Sequence, residues 1–151
     1  MQAADLVDAS FVDALVAHVE TLVVGDPMDE ATDVSALISR SERDRVASWV
    51  KEAEEEGATI ATGGTLDEQG VLRPTVVVNA RHEMKVCANE VFGPVVTVTE
   101  FDDLDTALAL ANDSKYGLQA SIFTKDVSKA LKAVRTLDYG GVLVNEVPTW
   151  R

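Results

Sequence analysis

The sequence holds one cysteine, Cys87, and two histidines, His18 and His82, in 151 residues. A lone thiol cannot close an intramolecular disulfide, and with only two imidazoles beside it neither a Cys-rich metal site nor a zinc centre is expected. No apolar run approaches the ~18–20 residues that span a bilayer. The opening stretch, Met1 to Val7, has no basic flank and two Asp nearby, which argues against a signal peptide. Positive charge is scarce: 13 Lys and Arg stand against 26 Asp and Glu, a formal charge of -13. Such a surface repels phosphate backbones and anionic lipid, so neither nucleic acid nor a membrane is an expected partner. Gly-rich phosphate loops are missing too: there is no G-x-G-x-x-G after a strand and no G-x-x-x-x-G-K-[ST]. The pairs Gly63-Gly64 and Gly140-Gly141 read as turns. Internal repeats, low-complexity tracts and Pro/Ser-rich linkers are absent as well.

What remains is an ordinary globule. The apolar fraction is 46% and the charged fraction 26%, and a folded chain of this size removes roughly 70% of its extended surface from water. The expectation is a soluble, cytoplasmic, single acidic domain. Apolar residues recur at helical spacing from Phe11 to Val23, stopped by Gly25-Asp26-Pro27. Met28 to Ser39 reads as a loop. Ser41 with Asp44 forms a capping box ahead of a stripe of Val46, Trp49, Val50 and Ala53. The three carboxylates of Glu54-Glu55-Glu56 oppose the helix dipole, so that end should fray. After Gly57 the period changes: Thr59–Thr62, Thr75–Val78 and Val95–Thr99 read as β-branched strands. Leu104 to Ala111 returns to helical spacing, Ala120–Phe123 is a strand, and Asp126 caps a helix with Val127, Ala130, Leu131 and Val134 inward. Val142–Val144 is the last strand. Strand, helix, strand, helix, strand from Val95 to Val144 is the pattern of parallel βαβ units. The class is α/β, with an open, mostly parallel sheet and flanking helices.

Few residues announce chemistry. Cys87 has neither a helix N-terminus nor a placed histidine beside it, so it reads as a structural thiol, and His18 reads as solvated. The densest local anomaly is Asn89-Glu90-Val91-Phe92-Gly93-Pro94. A carboxylate two residues before a Phe puts an acceptor and an aromatic face on one side of an extended segment. A carboxylate can accept from two vicinal ribose hydroxyls, and an aromatic ring packs on a flat heterocycle. Taken alone, a core Phe beside a surface Glu explains the same residues more simply.

Ordered motifs change that balance. They are Val24-Gly25-Asp26-Pro27, Gly57-Ala58 with Gly63-Gly64, Arg73-Pro74-Thr75-Val76, Glu90-Val91-Phe92-Gly93-Pro94-Val95, Ala111-Asn112-Asp113-Ser114-Lys115-Tyr116-Gly117-Leu118, Phe123-Thr124-Lys125-Asp126 and Gly140-Gly141-Val142-Leu143-Val144-Asn145. With them the chain resembles the catalytic-domain part of the NAD(P)-dependent aldehyde dehydrogenase family over essentially its whole length. Residues 1–151 would form a partial catalytic domain of that fold. The resemblance implies that Glu90 bonds the nicotinamide ribose and Phe92 packs beside the nicotinamide ring. Arg45 falls where many members place a Lys that also reaches the ribose, and Asn145 falls where the substrate tunnel is lined. The Val147-Pro148-Thr149-Trp150-Arg151 ending looks like the branch acting on small hydroxylated aldehydes.

The departures matter equally. By the resemblance, the family's nucleophilic Cys, its water-activating Glu, its oxyanion Asn and its Rossmann-type cofactor domain all precede the position of Met1. Cys87 sits by the ribose motif and cannot stand in for the nucleophile, so no catalytic residue is assigned within the chain. Ser35-Ala36 replaces a Gly-Pro common in the family. Two readings follow. One is part of an aldehyde dehydrogenase whose parent binds NAD or NADP, oxidises a small aldehyde and assembles as a homo-oligomer, the chain alone being inactive. The other is a free-standing α/β module that binds a nucleotide or completes itself with a partner chain. If the fold depends on missing neighbours, the apolar faces of the Phe11–Val23 and Leu104–Ala111 helices should be exposed.

Overall fold

The computed structural model describes residues 9–149, which form two compact units meeting in sequence between Glu100 and Phe101. The first contains α1 (Ala9–Val19), α2 (Arg40–Glu55), β1 (Thr59–Thr62), β2 (Thr75–Val78), α3 (Lys85–Ala88) and β3 (Val95–Val98). Its sheet has the order β1-β2-β3, antiparallel between β1 and β2 and parallel between β2 and β3. All four residues of β2 are buried, as a central strand covered on both faces requires. Alternation along it sorts the core into two layers. Val76 and Val78 join Val98 and receive Val12, Leu15, Val16 and Val19 of α1. Val77 faces Val50 and Ala53 of α2 together with Ala80, Met84 and Val86 around α3, with Trp49 and Cys87 at the margin.

Several boundaries differ from those the spacing predicts. The first helix ends at Val19 rather than Val23: Thr21 Oγ1 donates to the His18 carbonyl at 2.7 Å, and Leu22 N turns back to Val19 O at 3.2 Å. Val23 and Val24 then leave to meet the Asp33-Val34 segment, where Val34 N donates to Val23 O at 3.0 Å. The second helix starts earlier than the Ser41 cap, because Ser39 is the N-cap and its hydroxyl accepts from Glu42 N at 3.2 Å. Ser39 and Glu42 have the spacing of a capping box. At the other end of α2, Arg81 Nη1 donates to Glu56 O at 2.7 Å and Lys85 Nζ meets Glu52 Oε2 at 2.7 Å. These cations from outside the helix offset the acidic C-terminus that was expected to fray. The one-turn helix α3 was not anticipated; its four residues are too few to show a period.

The second unit contains α4 (Leu104–Asn112), β4 (Gln119–Ile122), α5 (Val127–Thr136) and β5 (Gly141–Val144), with β4 and β5 parallel. Of the two βαβ units expected from Val95 to Val144, the one through α5 is present; the one through α4 is not, since β3 pairs with β2 and β4 with β5 in separate small sheets. Asp103 caps α4 through Thr106 N, and Asp126 caps α5 through Ser128 N and Lys129 N. The two helices are tied by Asn112, which donates to Thr136 O at 2.8 Å and accepts from Asp138 N at 2.9 Å. The inward stripe expected on α5 is not inward: Val127, Leu131 and Val134 are 72%, 49% and 45% exposed, while Ala133 is fully buried. The helix is rolled so that its small residue faces a sheet of two strands, too narrow to cover the larger ones. The apolar faces of the Phe11–Val23 and Leu104–Ala111 segments are exposed in part: Phe11, Val23 and Leu110 are exposed, whereas Leu15, Val16 and Val19 are partly buried and Leu108 is buried. No helix among the described residues is long and apolar enough to cross a membrane.

Candidate functional site

The Asn89–Pro94 segment leaves α3 and enters β3, so both its ends are held by regular structure. Asn89 N caps α3 by donating to Lys85 O at 3.2 Å. At the exit, Val95 N donates to Gly93 O and Thr75 N donates to Pro94 O, both at 2.8 Å. Gly93 lies hard against α2: a Cβ there would sit 3.2–3.3 Å from the Val46 methyls and 3.4 Å from Leu37 Cδ2. The loop can approach the helix this closely because the side chain is missing.

Between those anchors Glu90 and Phe92 project into solvent, with Phe92 78% exposed. The segment is not simply extended as the i, i+2 argument assumes. Phe92 has φ 49, in the left-handed region, which costs a non-glycine residue roughly 1–2 kcal/mol. A large apolar ring held in strained backbone and turned to water has no role in packing this unit. Such outliers point toward a ligand-facing function.

Arg45 is brought to the same segment. Its Nη2 donates to Val91 O at 2.8 Å, and its Nε donates to Glu42 Oε2 at 2.8 Å. The guanidinium carbon lies 4.3 Å from the centroid of the Trp49 ring. Glu42, Arg45 and Trp49 follow i, i+3, i+7 spacing, so one face of α2 carries all three. That spacing was legible in the sequence, whereas the long-range bond to Val91 was not. Thr75 was also missed. It is the buried polar residue among the described ones, 2% exposed, and its hydroxyl accepts from Gly64 N and donates to Arg73 O, both at 2.8 Å.

Cys87 is half-buried against the α2 layer, and desolvation pushes its thiol above the ordinary range, with Thr97 acting in the opposite sense. Its half-buried place against the core is that of the structural thiol the residues suggested. His18 is exposed at the end of α1. Asn145 belongs to the second unit and has φ 56. Its Oδ1 accepts from Thr124 N at 2.8 Å and its Nδ2 donates to Thr124 O at 2.9 Å. The amide therefore ties the end of β5 to the end of β4 and sets the course of residues 146–149. Trp150 and Arg151, part of the ending singled out above, lie outside the described residues. No group of three or more metal-ligating side chains occurs among the described residues.

Comparison with known proteins shows the family. The family model described as aldehyde dehydrogenase family matches residues 3–151, and the chain belongs to that family. It is 47% identical over 142 residues to 3-sulfolactaldehyde dehydrogenase from Priestia aryabhattai, covering 94% of this chain and 30% of the relative. It is 42% identical over 147 residues to betaine aldehyde dehydrogenase from Vibrio vulnificus, covering 93% and 30%. The crystal structure of betaine aldehyde dehydrogenase from Staphylococcus aureus in complex with NAD+ matches with a TM-score of 0.86 at 36% identity, over 95% of this chain and 30% of that one. That of aldehyde dehydrogenase 21 from Physcomitrella patens, in complex with the product succinate, gives a TM-score of 0.86 at 37% identity, over 92% and 29%. The chain thus spans 30% of the length of these curated relatives.

Proposed function

We propose that this chain supplies the nicotinamide-side wall of an NAD- or NADP-dependent aldehyde dehydrogenase. The whole enzyme would convert an aldehyde, water and oxidised cofactor to a carboxylic acid, reduced cofactor and a proton. It would do so through a thiohemiacetal on a Cys that lies outside this chain. The observation that carries the reading is the pinned Glu90–Pro94 loop, which exposes a carboxylate and, two residues on, a left-handed aromatic residue. Those two groups fit a ribose and a flat ring, and the sequence offers no Gly-rich loop for the diphosphate. When bound, the nicotinamide accepts the hydride released from the substrate carbon. Glu90 would accept the ribose hydroxyls and so orient the ring. Phe92 would cover one side of it and exclude water. Asn145 contributes to the substrate tunnel by fixing the chain that follows it.

A small, polar aldehyde is the proposed substrate class, in keeping with the Val147–Arg151 ending and with the relative that acts on 3-sulfolactaldehyde. Assembly as a homo-oligomer in the cytoplasm completes the proposal. The test is a chimera in which this chain replaces the matching segment of the Priestia aryabhattai enzyme. It should reduce NAD+ with 3-sulfolactaldehyde, whereas the 151-residue chain alone should not with any small aldehyde. Glu90→Gln in the chimera should raise KM for NAD+ and lower kcat. Unchanged kinetics would remove Glu90 from the site, and turnover by the isolated chain would overturn the division of labour.

A further inference from the structure

We infer that Arg45 acts on the nicotinamide site from behind, as a positioning residue clamped between Trp49 and Glu42, and that the set of Phe92 depends on this clamp. The inference rests on the proposed reading of Glu90 and Phe92 as cofactor contacts. An Arg at this position could reach outward to a ligand, but here the Nε–Nη2 edge of its fork is turned to the protein. One edge gives Nε and Nη2 to Glu42 Oε2, at 2.8 and 2.7 Å, and Nη2 also reaches Val91 O at 2.8 Å. The flat face lies over the Trp49 ring at 4.3 Å, and Trp49 itself packs on the α2 layer of the core.

The carbonyl that Arg45 holds is the informative one. The Val91 carbonyl and the Phe92 amide share one rigid peptide plane, and φ of Phe92 is the rotation that starts from that plane. Fixing the plane through Arg45, with Phe92 at φ 49, aims the ring. The bonds that hold Asn89, Gly93 and Pro94 lie on either side of this plane. Among the described residues, Arg45 is the side chain that grips the stretch between them.

The chemistry demands arginine specifically. A lysine ammonium is a compact, strongly hydrated point charge. It can neither lie flat on an indole nor span a carboxylate and a carbonyl with a planar fork. A solvated ion pair between Glu42 and Arg45 alone would be of little consequence. The ring beneath and the carbonyl 46 residues away in sequence make this one a brace.

Two measurements decide it. In the full chain, the Arg45 Nε–H should give a slowly exchanging NMR signal displaced by the Trp49 ring current. The displacement should vanish in Trp49→Leu and persist in part in Trp49→Phe. In the chimera, Arg45→Lys and Trp49→Leu should raise KM for NAD+ by about three- to tenfold, the range of one partly exposed cation–π contact. Trp49→Phe should recover most of that loss, and KM for the aldehyde at saturating NAD+ should stay in place. An undisplaced Arg45 signal overturns the clamp. A displaced signal with unchanged KM for NAD+ in Arg45→Lys, while Glu90→Gln still raises it, overturns the positioning role and leaves the functional reading standing. If Glu90→Gln is silent as well, that reading itself fails. Should Trp49→Leu lose its native amide spectrum, Arg45→Lys, which leaves the core intact, carries the test.

Discussion

Thr75 offers the sharpest test of how the site loop is supported, because packing and hydrogen bonding make opposite forecasts for one substitution. Thr75→Val keeps the shape and adds a buried methyl group, so an account based on apolar burial expects a gain. The structure expects a loss. The hydroxyl is the partner of both Gly64 N and Arg73 O at 2.8 Å, in a part-buried turn. Stranding a buried donor or acceptor costs ~1–3 kcal/mol, against a gain of about 0.8 kcal/mol for a methyl-sized increment of burial. Both backbone groups lie where water can partly reach them, so each costs ~1–2 kcal/mol, and the two together, less the gain of the methyl, leave a net loss of about 1–3 kcal/mol. Thr75→Ser keeps the hydroxyl and loses one methyl, a cost of about 1 kcal/mol. Valine should therefore be the worse of the two replacements. Urea unfolding of the chain gives the order, and amide exchange of Gly64 gives the location. Exchange there should accelerate by about tenfold or more in Thr75→Val, since ~1.4 kcal/mol corresponds to one factor of ten, and change little in Thr75→Ser. A valine variant as stable as the serine one, with Gly64 still protected, would refute the reasoning.

Three other outcomes are expected. Gly63→Ala should destabilise the first unit by ~2–5 kcal/mol, since it combines a left-handed φ of 77 with a Cβ placed 2.1 Å from Pro74 O. Gly57→Ala, at φ 103 with open space around it, should cost only the ~1–2 kcal/mol of the backbone term, and equal costs in thermal or urea melts would contradict this. Asp103 has its carboxyl held below the ordinary value of 3.8, first by the Thr106 backbone N–H and then by its side chain. A lowered native pKa means that the cap of α4 is at full strength above the unfolded value and is lost as pH falls through the native one. Thr106 amide protection should follow that acid-side course in the wild type and not in Asp103→Asn. Cys87, its thiol raised by burial, should alkylate far more slowly at neutral pH in the native chain than in urea; fast native labelling would place it outside the core.

How much of this was legible in sequence depended on whether the signal was local. The short strands, the Asp126 cap and the crossover through α5 are written in local runs and a cap residue, and they appear within a residue or so of where they were expected, whereas the Asp103 cap of α4 was not read. The end of α1 was misplaced because Thr21 and the valines after it keep an apolar rhythm while their backbone is claimed by Asp33 and Val34. The start of α2 was misread because Ser39 and Ser41 are both competent caps, and only the bond from Glu42 N decides between them. The roll of α5 needs knowledge of how wide its sheet is. Glu90 and Phe92 stand out in the sequence as an anomaly, yet the left-handed φ at Phe92 depends on its surroundings. The Arg45 bond that accompanies it joins positions 46 residues apart, which no local pattern encodes.

The loop hangs from the least yielding part of its unit. Its exit carbonyl, Pro94 O, is gripped by the amide of Thr75, the first residue of a strand buried along its whole length. Segments tied to such strands open last and most rarely. The exit of the loop should consequently keep its course for as long as that strand stays paired.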